Sequence, residues 1–315
     1  MRIEAEIAMD GDAAHSAPLG GQCAGRSGAE LKSGLWPVDR LILGWTLTLG
    51  VLVALLYPRI TEAGTILIWH AVGALLIVAF ACFPGLPGAR LFRHWYPLPY
   101  VFITYRTTSL VIPALWPSIG DLRVDAHLAA WDSAIWGANP TVWLERIQTP
   151  LLTELLQICY ALFLPAVLAL AVALWFQKRY DEFRKYAFLL ALGFLVSYVG
   201  YLIVPARGPR FFLEGLQTQP LRGQWLGEPL RGLLDRIESA HYDCFPSGHV
   251  EMTILALWWS RRVSPKLTAF YVAYACCMVL ATTYLRYHYT VDLAAGAVVA
   301  AAALTVAPRL MERWE

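Results

Sequence analysis

Three short stretches carry residue types that could together handle a phosphate ester. Residues 205–210 bring Arg207 and Arg210; residues 246–249 bring Ser247, Gly248 and His249; residues 286–292 bring Arg286, His288 and, four positions on, Asp292. Pro246 suits a helix start, because its φ is fixed and it has no N–H to leave unpaired. Ser247 and Gly248 then present a hydroxyl and bare backbone N–H groups at a helix N-terminus, where the dipole favours an anion. His249 projects into the same place. Alone, this stretch reads equally well as a capped helix start with a stray histidine. In the third stretch, His288 and Asp292 would share a helix face. A carboxylate that takes the Nδ1 proton leaves Nε2 free as a base or nucleophile. The rival reading is a polar pair satisfied at a membrane surface, although ionisable groups beside a bilayer are costly and tend to be functional. Arginines 207, 210 and 286 add planar donors that match phosphate oxygens. Phosphoryl transfer asks for positioned donors around an anionic transition state, a nucleophile, and an acid for the leaving oxygen. These stretches supply all three, so the expectation is chemistry with no metal and no cofactor.

The elements that must position them are membrane helices. The 315 residues are 58% hydrophobic and only 15% charged, where soluble domains carry about a quarter. The deficit comes from long apolar stretches, each with at most one charged residue, at 41–57, 65–83, 98–116, 151–176, 186–204, 248–259, 267–285 and 290–307. A span needs about 20 residues, so the stretch at 248–259 crosses only if its helix starts near Pro246 and runs into Arg261. The stretch at 98–116 is interrupted by Arg106. The expected fold is an all-α polytopic bundle of about eight spans. The segment 125–147, with Trp131, Trp136 and Trp143 among scattered charges, suggests a helix lying in the interface. The short connections 178–185 and 261–266 and the C-terminal end are basic, which places them in the cytoplasm. The three stretches then share the opposite face. No basic tract of the kind nucleic acid requires is present. The six cysteines form no CxxC pair, which argues against a zinc site or a disulfide framework; Cys244 reads as a packing residue. Residues 1–36 lack apolar periodicity and the order of a signal peptide, so a disordered tail is expected. Residues 37–150 would form the N-terminal helices, and 151–315 the catalytic core.

Residues 151–308 resemble the type-2 phosphatidic acid phosphatase superfamily, whose second motif is similar to Pro246-Ser247-Gly248-His249 and whose third is similar to His288 with Asp292. The stretches 131–144 and 160–165, and 288–292 itself, resemble its inositol phosphorylceramide synthase-like branch. The resemblance implies a lipid phosphatase or phosphotransferase acting through a phosphohistidine. His288 would attack phosphorus, Asp292 would orient it, and His249 would protonate the leaving oxygen. Ser247 and Gly248 would hold phosphate oxygens. The superfamily's first motif is absent, and Arg207 or Arg210 would replace it. Thr282 stands where the third motif usually has an arginine, for which Arg286 would compensate. The partner is then a membrane lipid, and the setting the inner membrane of a bacterium with the site on the outer face.

Other residues carry less weight. Glu251 would meet either a headgroup or a pairing partner. His241 and Asp243 could line the entrance, and Tyr105 and Arg106 could reach a lipid phosphate. His70 reads as a buried, hydrogen-bonded side chain. The rival functions are a simple phosphohydrolase, an intramembrane serine protease built on Ser247, and a non-catalytic lipid transporter.

Overall fold

The computed structural model describes residues 33–117, 123–237 and 242–314. The expected disordered tail falls almost wholly outside them. Residues Ser33–Glu315 cluster as one unit. In chain order the helices are α1 (Pro37–Leu55), α2 (Ala63–Cys82), α3 (Ala89–Trp95), α4 (Pro97–Leu115), α5 (Arg123–Trp136), α6 (Pro140–Trp143), α7 (Pro150–Ala161), α8 (Phe163–Phe176), α9 (Tyr180–Ile203), α10 (Pro209–Phe212), α11 (Gly227–Ile237), α12 (Gly248–Ser260), α13 (Pro265–Tyr284) and α14 (Thr290–Trp314). Among the described residues there is no strand, which bears out the all-α expectation. Local chemistry sets the starts. Proline stands in the first turn of α1, α4, α7 and α13, and Thr149, Ser247 and Ser264 accept N–H groups at the starts of α7, α12 and α13.

Among the described residues, α1, α2, α9, α13 and α14 are long and apolar enough to cross a membrane, and α7 with α8, bent by 44°, makes a sixth if the pair is one span. Helices α4 and α12 complete the expected eight only as members of the bundle: α4 packs on α1 and α9, and α12 on α9, α13 and α14. About 72% of the apolar window of α9 is buried, against 22% in α2, so α9 is the axis and α2 an edge. His70 is buried and meets Thr107 Oγ1 at 3.1 Å.

One close crossing brings two motif helices together. A Cβ at Gly296 on α14 would collide with the Ser247 carbonyl at the start of α12. Small residues let membrane helices approach this closely. The α12 and α14 N-termini therefore lie side by side at the end of the bundle where α9 finishes.

Candidate active site

Main-chain hydrogen bonds lace the three stretches together. Arg210 N donates to Arg286 O at 3.0 Å, Cys244 N to Ala206 O at 3.1 Å, and Ser247 N to Asp292 O at 3.0 Å. The chain can turn sharply after Arg207 because Gly208 has φ +97°, and a Cβ there would press on the Tyr287 carbonyl.

Both histidines arrive in one place, with ring centroids 5.7 Å apart. His249, in the first turn of α12, is half-buried against Tyr160 and Phe163, at 4.4 and 4.3 Å. Those two rings flank the α7–α8 bend, so the bend is what delivers them. Tyr160 also stacks on Tyr287 at 4.2 Å.

His288 lies before α14 rather than on it, which corrects the expected shared helix face. Its Nδ1 is 2.8 Å from the Cys244 carbonyl and 3.4 Å from Asp292 Oδ2. A carbonyl can only accept, so Nδ1 carries the hydrogen and Nε2 of the neutral ring has its lone pair free. The main chain thus shares the orienting task expected of Asp292 alone. Asp292 Oδ2 also receives the Tyr289 N–H at 2.8 Å, the reach-back of a capping box, and the Cys244 S–H at 2.9 Å. Burial, with Asp292 beside it, pushes the Cys244 thiol well up, which keeps the sulfur protonated as a donor. The ligand-type atoms of Cys244, His288 and Asp292 lie within 4.8 Å of one another and could together hold a metal ion; as arranged they form a hydrogen-bonded triad.

Ser247 is buried and its Oγ accepts the Val250 N–H at 3.5 Å. It is therefore the N-cap, and Pro246 stands one residue outside the helix. The first-turn N–H groups of Gly248 and His249 have no acceptor within α12.

The three arginines differ. Arg286 donates to Glu145 at 2.8 Å, to the Gln219 carbonyl at 2.6 Å and to Gln217 at 3.3 Å. One of its terminal nitrogens is thus fully occupied by protein, while its Nε is buried with no hydrogen-bond partner among the described residues. Arg210 is paired with Asp235 at 2.6 Å and lies over Phe211 and Tyr287. Arg207 stacks over Phe211 at 4.3 Å, and its Nε is buried with no hydrogen-bond partner among the described residues.

The lesser candidates also separate. Tyr105 donates to Asp243 at 2.5 Å, and burial pushes the Asp243 carboxyl up. Arg106 is 61% exposed and 3.7 Å from Glu62. Glu251 is buried in the bundle and hydrogen-bonded to Ser197 of α9, an internal partner rather than a headgroup. His241 lies outside the described residues.

Two carboxylates of α5 reach the site without being marked as site residues in the sequence. Asp125 accepts the Arg207 and Gly208 N–H groups at 3.0 and 2.7 Å and the Tyr289 hydroxyl at 3.2 Å. Asp132 accepts the Thr290 N–H, the Thr290 hydroxyl and the Val291 N–H at 2.8, 2.7 and 3.0 Å. The signal was there: two acids seven apart on the helix face that also carries buried Leu128 and Ala129.

A family model described as the PAP2 superfamily matches residues 126–306. The chain belongs to the PAP2 superfamily. Over 98 residues it is also 31% identical to a PA-phosphatase related-family protein of Dictyostelium discoideum, a match taking in 30% of this chain and 18% of that protein. The chain thus covers under a fifth of that relative's length. No solved structure matches. Membership of the PAP2 superfamily, with several apolar helices, makes this an integral membrane protein.

Proposed function

We propose that this protein is a metal-independent lipid phosphatase or phosphotransferase that works through a phosphohistidine on His288. The observation that carries the reading is the 2.8 Å contact of His288 Nδ1 with the Cys244 carbonyl, which leaves the lone pair on Nε2 of a ring whose centroid is 5.7 Å from that of His249. The Nε2 lone pair attacks phosphorus and forms the N–P bond. The ester P–O bond breaks, and its electron pair leaves with the alcohol oxygen. His249, protonated beside the bound phosphate, gives that oxygen its proton and becomes neutral. In the second half, neutral His249 takes a proton from the incoming hydroxyl, whose oxygen attacks phosphorus, and the N–P bond returns its electrons to His288. Arg207 takes the phosphate oxygens with the first-turn amides of Gly248 and His249, since Arg210 and Arg286 already have carboxylate partners.

The larger cavity, about 580 Å³, runs along α6 and contains neither histidine. A second, of about 440 Å³, is lined by Arg210, Arg231 and Tyr287. We place the substrate headgroup at the second, because Tyr287 stacks on Tyr160, which stacks on His249. The basic connections at the other end favour a site outside the cytoplasm, as in a bacterial inner-membrane enzyme.

The incoming hydroxyl is water in a phosphatase and a lipid alcohol in a headgroup transferase. Transfer is favoured by where the synthase-like stretch lies: it contains Asp132 and Trp136, and both touch Thr290. Purified protein should be incubated with labelled phosphatidic acid, phosphatidylglycerol phosphate, polyprenyl diphosphate and glycerophospholipids, with and without a ceramide-like acceptor and with EDTA. Labelled acceptor lipid is expected for a transferase. Free phosphate alone would leave only the phosphatase, and activity lost to EDTA and restored by a divalent ion would sink metal independence.

A further inference from the structure

The three stretches come from distant parts of the chain, and their loops have no regular sheet or helix to fix their spacing. One main-chain bond, Arg210 N to Arg286 O, joins the arginine loop to the histidine loop, and side-chain ties add to it. Helix α5 touches both. Asp125 and Asp132, two helical turns apart, point from one face and are 1% and 0% exposed. A buried carboxylate is costly unless hydrogen bonds compensate it. Each of these receives three: Asp125 takes two amides of the Arg207 loop and the hydroxyl of Tyr289, next to His288, while Asp132 takes two amides and a hydroxyl at the start of α14. Burial, with Asp125 alongside, pushes the Tyr289 hydroxyl up, so it remains a donor. Asp132 thereby caps α14 from another helix, where a cap ordinarily comes from the preceding residue. The opposite side of α5 is apolar and open: Trp131, Ile135 and Trp136 are 55%, 64% and 63% exposed. Trp136 belongs to both sides, because its indole N–H also donates to the Thr290 hydroxyl at 2.8 Å.

We propose that Asp125 and Asp132 are positioning residues and that α5 is the ruler of this site. Asp125 sets the separation between the phosphate-binding arginine loop and His288, and Asp132 fixes the turn from which His288 is presented. The role rests on the phosphohistidine reading for its kinetic consequence, but not for its structural one. Neither carboxylate touches the reacting atoms. Losing one shifts where the imidazole meets phosphorus, and a displacement of about 1 Å can cost roughly a hundredfold in rate.

The test uses the full-length protein in lipid nanodiscs, as Asp132→Ala, Asp132→Asn, Asp125→Ala and Asp125→Asn. Hydrogen exchange is read at residues 206–209 and 288–292, and kcat and KM are read on the substrate found by the lipid screen. The Ala variants are expected to lower kcat about 10- to 100-fold with KM within about two-fold, and to speed exchange in those two segments only. Each Asn variant keeps one acceptor oxygen and should recover at least part of the rate. Exchange does not depend on turnover, so an inactive wild-type protein would defeat the phosphohistidine reading while the clamp was still tested. The proposal is overturned if the Ala variants keep wild-type exchange at both loops. It is equally overturned if the Asn variants, still folded, show exchange raised evenly through all helices or a loss confined to KM.

Discussion

Two buried charged clusters sit at opposite ends of α9, and they are built on different plans. At its N-terminal end, Asp39 and Arg93 are each 1% exposed and 3.2 Å apart. Asp39 also receives the Tyr96 hydroxyl at 2.6 Å, Arg93 lies over Trp36 at 4.0 Å, and His94 is boxed by Trp36, Trp175, Tyr180 and Phe183. Full charge meets opposite charge, with aromatic walls around. At the C-terminal end, Asp292 faces an imidazole, a thiol and an amide, and its Oδ1 is buried with no hydrogen-bond partner among the described residues. No fixed cation answers it. The first plan stabilises. The second keeps charge incompletely matched, as a site must if an incoming anion and a travelling proton are to complete it.

The sharpest way to break this comparison is to remove the imidazoles. His288→Ala should lower turnover roughly 10³-fold or more and abolish the labelled phosphoenzyme trapped by rapid alkaline quench, because no other nucleophile stands in its place. His249→Ala should cost roughly 10²- to 10⁴-fold on an alkyl ester. That loss should shrink sharply on an aryl phosphate, whose leaving group needs no proton. Equal losses on both substrates would remove His249 from the acid role. Thermal unfolding in detergent should show both variants still folded, with His288→Ala lowered by about 1–2 kcal/mol for the hydrogen bonds it loses.

The opposite outcome is expected at the other end. Arg93→Met leaves the Asp39 carboxylate buried without its cation, a change that costs about 3–5 kcal/mol. The variant should unfold at distinctly lower temperature, while kcat per folded molecule stays at the wild-type value. A fall in kcat with stability intact would show that the two clusters are coupled and that the division drawn above is wrong.

The reach of the sequence follows the same division. Helix existence was legible because apolar runs of span length are long-range in composition and need no partner to be recognised. That His249, His288 and Asp292 come together was legible because these residue types are compressed into two stretches of a few residues each. What could not be read was the set of contacts made between distant segments. The Cys244 carbonyl that holds His288 Nδ1 is a backbone atom, invisible in residue types. The contacts of Arg286 with Glu145 and Gln219 are likewise absent from its residue type and appear only when those segments fold against it. Asp125 and Asp132 look like ordinary acids of an interfacial helix until their six donors arrive from two other loops. Span counting also reached its limit at α12, whose 13 residues are too short for a span and which joins the bundle by packing on α9, α13 and α14.

A pH titration sharpens the comparison further. Burial drives the pKa of His94 down from 6.5 to about 4, so the folded protein holds it neutral where the unfolded chain would protonate it. The stability this contributes is complete above pH 6.5 and drains away as pH falls toward 4. Between pH 7 and pH 5 the loss is about 2 kcal/mol. His94→Phe should unfold with a visibly flatter dependence on pH over that range, and a variant as pH-sensitive as the wild type would place the titrating group elsewhere.

The smallest expected effect concerns Cys244. Its carbonyl serves His288 and is untouched by substitution, but its S–H is one of the donors that Asp292 Oδ2 receives. Ser keeps a donor at the same position with a shorter reach, so Cys244→Ser should hold kcat within about three-fold. Val fills similar volume and donates nothing. A lost hydrogen bond to a buried acceptor costs about 1–2 kcal/mol, which for Cys244→Val corresponds to roughly ten-fold in kcat if the carboxylate's alignment matters in the transition state. Unchanged kcat with lowered stability would mean that the thiol merely satisfies a buried oxygen. In that case Cys244 would belong with the Asp39–Arg93 cluster in kind, although it stands at the other end of the bundle.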